Sequence, residues 1–232
     1  MAIGVFGKLP QKRDFVALGL PHRILAPFET WLQSAVAASR NELGQAWETY
    51  YLVAPIWRFW IGRDVFGESC AGALMPSVDK VGRFFPLAVI HHDAARELLE
   101  PPTLAPQDPW YAALEARLLS VLDEGRETEL EAFASGLPDY PAAAEASDMG
   151  TPFKGGITWE GEAARAAGAF MASLAPADYR QAAASRSFWW TQGGGAGKPL
   201  AYAGQGLPDP YFFSRMLLAP AARTPDAAEA DA

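Results

Sequence analysis

The sequence predicts a domain of the α/β or α+β class, with helices covering a central mixed sheet. Three observations carry this. Short apolar runs, rich in β-branched and aromatic residues and bounded by Gly and Pro, recur at residues 2–6, 56–61, 69–75 and 85–91. Two longer segments, 24–43 and 110–122, place apolar residues at three- and four-residue steps, the helical period. A third pattern, residues 187–191 and 199–202 around GGGAG, reads as a hairpin. Strands mixed with helices suggest covering layers, and one hairpin suggests a sheet that is not purely parallel.

In chain order, residues 2–6 form a first buried strand that ends at Gly7, followed by the loop GKLPQKRDF. The helix over 24–43 buries Phe28, Trp31, Leu32, Ala35 and Val36, and Gly44 stops it. The aromatic run after Trp47 centres a strand on 56–61, with Pro55 at its beginning. Strands at 69–75 and 85–91 follow, joined by PSVDKVGRF. After the proline-rich stretch 101–109, an amphipathic helix over 110–122 places Tyr111, Leu114, Leu118, Val121 and Leu122 on one face. Shorter helices are expected at 128–137 and 176–185, and a helix or strand at 210–218. Residues 1–220 are expected to form a single domain, and 221–232, without large apolar groups, a disordered tail.

Composition narrows the function classes. A net charge of −8 disfavours nucleic-acid binding, and the basic trio Lys8, Lys12 and Arg13 beside Asp14 reads as a solvated loop. The one cysteine, Cys70, forms no internal disulfide, which fits a reducing compartment. The start, MAIGVFGKLPQKRDF, has no apolar run after a basic segment, and no stretch approaches membrane-spanning length. A soluble, cytoplasmic chain is therefore expected.

No motif for catalysis emerges. GGGAGK at 193–198 lacks the Ser or Thr of a phosphate loop, and Pro199 removes a backbone donor where phosphate would bind. Gly4 and Gly7 lack a dinucleotide fingerprint, and no GxSxG occurs. His91 and His92 read as a polar strand exit, and His22, His91, His92 and Cys70 show no metal-ligand spacing. Asp79 and Arg83 in one connector read as a loop-fixing salt bridge. Trp57 with Trp60, and Trp189 with Trp190, stand at odd spacing, so the members of each pair face opposite sides of a strand. One of each pair belongs to the core. The other meets a covering helix, the favoured reading, which makes both core, or is exposed, where Trp makes a strong anchor for a partner.

Three segments together resemble the TagF/ImpM family associated with type VI secretion. They are GVFGKLP at 4–10 with DFV at 14–16, MPSVDKVGRFFPL at 75–87, and SFWWT at 187–191 with GLP at 206–208. The middle segment is the most specific. One position departs from the family pattern: Arg13 stands where a glycine usually precedes the aspartate. That substitution adds a basic group and bears on any tight turn before Asp14.

The resemblance implies a three-layer α-β-α sandwich. It also implies a non-enzymatic, cytoplasmic post-translational repressor that binds and sequesters the system's forkhead-associated scaffold protein, with no cofactor. On these grounds Lys8, Asp14, Ser77, Asp79, Arg83, Trp189 and Trp190 are the loop-fixing or interaction candidates. The competing readings are an enzyme or a small-ligand sensor using a polar cleft formed by the loops at 8–14 and 76–86. Whether Lys8, Asp14, Asp79 and Arg83 converge on an open pocket or are tied up by backbone hydrogen bonds separates these readings from the repressor one.

Overall fold

The computed structural model describes residues 2–92, 99–122, 129–141, 150–161, 166–193 and 198–218. Strands β1 (Ala2–Lys8) and β2 (Phe15–Leu18) lead into helices α1 (His22–Leu43) and α2 (Trp47–Val53). Next come β3 (Trp57–Ile61), the single helical turn α3 (Arg63–Phe66), β4 (Cys70–Met75) and β5 (Leu87–His92). Helices α4 (Asp108–Leu119) and α5 (Leu130–Ser135) follow, then a small hairpin, β6 (Thr151–Phe153) and β7 (Gly156–Thr158). The chain continues through α6 (Ala167–Ser173), α7 (Ala175–Ala183), β8 (Arg186–Thr191), β9 (Leu200–Gln205) and α8 (Phe212–Leu218).

Seven strands form one sheet in the order β2-β1-β5-β4-β3-β8-β9. Every pairing in it is antiparallel. The expected mixed sheet is therefore corrected to an antiparallel one. Its cause lies in the connections: β3–β4, β4–β5 and β8–β9 join neighbouring strands directly, and such short links produce antiparallel pairs. The long helical excursions join strands that are not neighbours, so they impose no parallel crossover.

The strand period divides the core in two. Trp57, Phe59 and Ile61 of β3 face α1, α2 and α8, in a cluster with Phe28, Trp31 and Met216. Trp60 faces the other way, into a cluster with Leu114 and Leu118 of α4 and Phe133 of α5. Helices thus lie against both faces. The same rule separates Trp189, in the first cluster, from Trp190, which packs against the second. Buried indole N–H groups find backbone acceptors: Trp31 donates to Pro208 (2.7 Å), Trp57 to Met216 (3.1 Å) and Trp60 to Leu99 (3.1 Å). The first two tie the C-terminal segment to the α1 face.

Helix α1 buries all five side chains expected of it and ends at Gly44, where φ is 53°. Several expectations shift. Helix α2 replaces the strand-like start read after Trp47, because Trp47 and Tyr51, one turn apart, stack at 4.6 Å and are both buried. Strand β2 begins at Phe15, the last residue of the segment read as loop, and runs on through residues given no element; its four residues pair with β1. Helix α4 starts two residues early, and Leu122, placed on its apolar face, is 52% exposed. His91 and His92 end β5 as read, but both are buried there. The hairpin β8–β9 forms as read, while residues 194–197 of its glycine loop and the tail 221–232 lie outside the described residues. No helix among the described residues is long and apolar enough to cross a membrane.

Candidate functional site

Two loops at one end of the sheet carry most of the candidate residues. The first leaves β1 at Gly7, whose φ is 131°. A side chain there would collide with the Pro86 carbonyl at the start of β5, so only glycine permits the approach. The second, 76–86, is a tight hairpin loop. Val78 bridges Phe84, Asp79 N–H donates to the Arg83 carbonyl at 3.0 Å, and Gly82 N–H donates to the Asp79 carbonyl at 3.0 Å. Gly82, with φ 83°, supplies the left-handed residue of the turn.

Asp79 holds this end together. Its buried carboxylate accepts from Lys8 Nζ, Arg83 Nε (2.7 Å) and the backbone N–H groups of Val81 (3.0 Å) and Arg83 (2.9 Å). Burial alone raises a carboxyl pKa. Here the bonds from Lys8, Arg83 and Val81 overcome it and hold Asp79 well below the usual carboxylate range. Lys8, itself buried, lies over the Phe15 ring at 4.5 Å. The basic trio is therefore not a solvated loop: Lys8 is internal, and Lys12 pairs with Glu129 at 3.5 Å.

The two loops are stitched directly to each other. Ser77 Oγ donates to the Lys8 carbonyl (2.7 Å), Lys80 N–H to the Lys12 carbonyl (3.2 Å) and Arg83 Nη2 to the Arg13 carbonyl. Tyr51, which the sequence did not single out, brackets Ser77: its hydroxyl meets both Ser77 N–H and Ser77 carbonyl at 3.1 Å. Burial pushes its phenol pKa up, so it stays a neutral donor–acceptor. Arg13, where the family pattern has glycine, has no positive φ, and its side chain is exposed. The turn needs only the carbonyl of that residue, which explains why a bulky side chain fits.

The structure brings together Lys8, Ser77, Asp79 and Arg83 and leaves Asp14 apart. Asp14 is exposed and makes no side-chain hydrogen bond among the described residues. Trp189 is a core residue, 4.8 Å from both Trp31 and Phe59. Trp190 is only half-buried and meets Tyr111 edge-on at 4.8 Å on the other face.

A second charged centre escaped the sequence reading. Arg58, in the middle of β3, is buried and donates to Glu115 (2.6 and 3.1 Å) and Asp108 (2.8 Å) of α4. Burial opposes its charge, but the Glu115 and Asp108 contacts raise its pKa overall. A lone arginine within the run WRFWI was the available signal. Close by, Leu52, Val53, Leu119 and Leu122 are all at least half exposed and line one depression of about 350 Å³. Singly exposed apolar residues are ordinary; here four of them share one depression.

Comparison with known proteins follows the same outline. Residues 4–137 match the family model described as the TagF N-terminal domain, type VI secretion system-associated. The crystal structure of PA0076 from Pseudomonas aeruginosa PAO1, at 2.05 Å resolution, superimposes with a TM-score of 0.72. It is 35% identical, and the match covers 93% of each chain. No curated protein matches significantly.

Proposed function

The chain belongs to the TagF family of type VI secretion-associated proteins, and from that premise we propose that it is a cytoplasmic, post-translational repressor of secretion. In this reading it acts without chemistry, by binding and sequestering the forkhead-associated scaffold protein. The fold is read as a three-layer α-β-α sandwich, supported by helices against both faces of the sheet.

One observation carries the reading. Asp79 and Arg83 of the most specific motif, with Lys8, are spent on one another and on the backbone. A carboxylate that accepts four hydrogen bonds is held ionised and has poor basicity, so Asp79 is a loop-fixing group rather than a general base. This fixed end offers Phe15 and Val81 to solvent, each about half exposed, beside the exposed charged residues Arg13, Asp14, Lys80 and Arg83. Rigid loops bearing exposed apolar groups favour association, because little conformational freedom is lost on binding.

Co-purification of the full chain with the scaffold of its own secretion system tests the reading. A stable complex is expected, with repression in cells rising in proportion to the ratio of this chain to the scaffold. Full repression at a small fraction of one copy per scaffold would indicate turnover and sink sequestration.

A further inference from the structure

The far edge of the sheet carries a feature that the loop motifs do not touch. Strand β9 is the last in the sheet order, so among the described residues its outer backbone edge has no partner. Above β8 and β9 runs a groove of about 540 Å³, within the range of built binding clefts. The pairing register explains why the groove is there. Phe188 sits opposite Ala203 and Trp190 opposite Ala201, so these four side chains share one face. The alanines are exposed, and their small size leaves the face beside the two aromatic rings open. The segment 102–108 forms the wall, with Pro102, Thr103 and Pro106 giving a stiff, weakly polar rim.

The charge of the groove is one-signed. Asp108 is the only formally charged side chain among the described residues that line it, and it is 63% exposed. Behind it, Arg58 supplies one positive charge to two carboxylates, Asp108 and Glu115, leaving a net negative centre. Lys198, next to the lining residue Pro199, does not itself line the groove.

We propose that this edge is a peptide-docking site: an extended segment of a partner protein adds as a strand beside β9, with a Lys or Arg flanked by apolar residues. The backbone of the segment would satisfy the free edge of β9. Its side chains on the groove face lean over Ala201 and Ala203, apolar ones toward Phe188 and Trp190 and the basic one toward Asp108. A strand of six residues, the length of β9, spans roughly 20 Å, enough to present three side chains to that face. The inference stands apart from the scaffold reading, since it names the chemistry of the segment and not its owner.

Panning a displayed library of random twelve-residue peptides against the full chain tests it. The selected peptides are expected to carry a basic residue between apolar ones. Their affinity should fall about tenfold or more in Asp108→Lys and in Ala203→Trp, which fills the groove, and should weaken as salt is raised. Methylating alternate backbone nitrogens of the best peptide should abolish binding, as strand addition requires. Unchanged melting temperatures confirm that both variants are folded. No enrichment of basic residues, full affinity in Ala203→Trp, or tolerance of the methylated backbone overturns the proposal. If Ala203→Trp loses the peptides but still co-purifies with the scaffold, the docking site stands and the scaffold binds elsewhere.

Discussion

Two buried charged centres, one on Asp79 and one on Arg58, are built with opposite logic. The Asp79 centre puts the anion inside and surrounds it with donors from both loops, so the carboxylate itself is closed off while the Arg83 side chain stays half exposed. The Arg58 centre puts the cation inside and lets its carboxylates reach outward, Asp108 to the groove and Glu115 to the neighbouring depression. The first uses charge to hold backbone in place. The second leaves surplus negative charge on a surface with exposed apolar side chains. The Asp79–Arg83 pair of the most specific segment thus holds loops in place, while the groove with surplus negative charge lies beside Asp108, outside that segment.

The largest expected effect breaks the first centre. Asp79→Ala leaves the Lys8 ammonium buried without its partner and frees two backbone donors, and such a loss costs about 3–5 kcal/mol. Urea denaturation should show the midpoint falling with little change in slope. A loss below about 1 kcal/mol would mean that the two loops are held by their backbone contacts alone.

Acid separates the centres from the rest of the core. His91 is buried and stacks on Tyr140 at 5.3 Å, and among the described residues neither ring nitrogen has a hydrogen-bond partner. Burial, with the N-terminal charge and His92 adding, pushes its pKa down to about 4. The unfolded chain therefore binds the proton first, so stability is full above pH 6.5 and falls as pH drops toward 4, by about 3 kcal/mol. Asp79, held below its ordinary pKa, adds a further loss only below the unfolded carboxylate range. Chemical denaturation across this span should show both phases, and His91→Phe should remove the upper one alone.

Arg58→Met sharpens the contrast. Its carboxylate partners can turn to water, so they are not stranded as Lys8 would be, and the cost should be about 2 kcal/mol. A loss as large as that of Asp79→Ala would show the two centres to be equally closed. Smallest is Arg83→Ala. Its side chain is 55% exposed, and with solvent screening its removal should cost about 1 kcal/mol. Calorimetric melting would detect that as a drop of a few degrees. Lost repression with unchanged melting would assign Arg83 a direct contact with a partner.

Much was decided by the sequence itself. Helical spacing set α1 down to its buried residues, because a 22-residue amphipathic pattern allows one solution. Odd spacing of the tryptophans fixed that the members of each pair take opposite faces, since strand side chains alternate whatever the residue type, but not which member takes which. The pairing of Asp79 with Arg83 was also legible, because four residues within one turn-rich loop can hardly avoid each other. Only the tertiary structure decided the rest. Trp47 and Tyr51 suit a strand or a helix equally, and their stacking under Phe84 selected the helix. Lys8 looked like a solvated charge until a carboxylate 71 residues away gave it a partner. Strand order, the antiparallel sheet and the open groove over Ala201 and Ala203 depend on which strands become neighbours. That is a matter of packing over long separations, and local spacing carries no record of it.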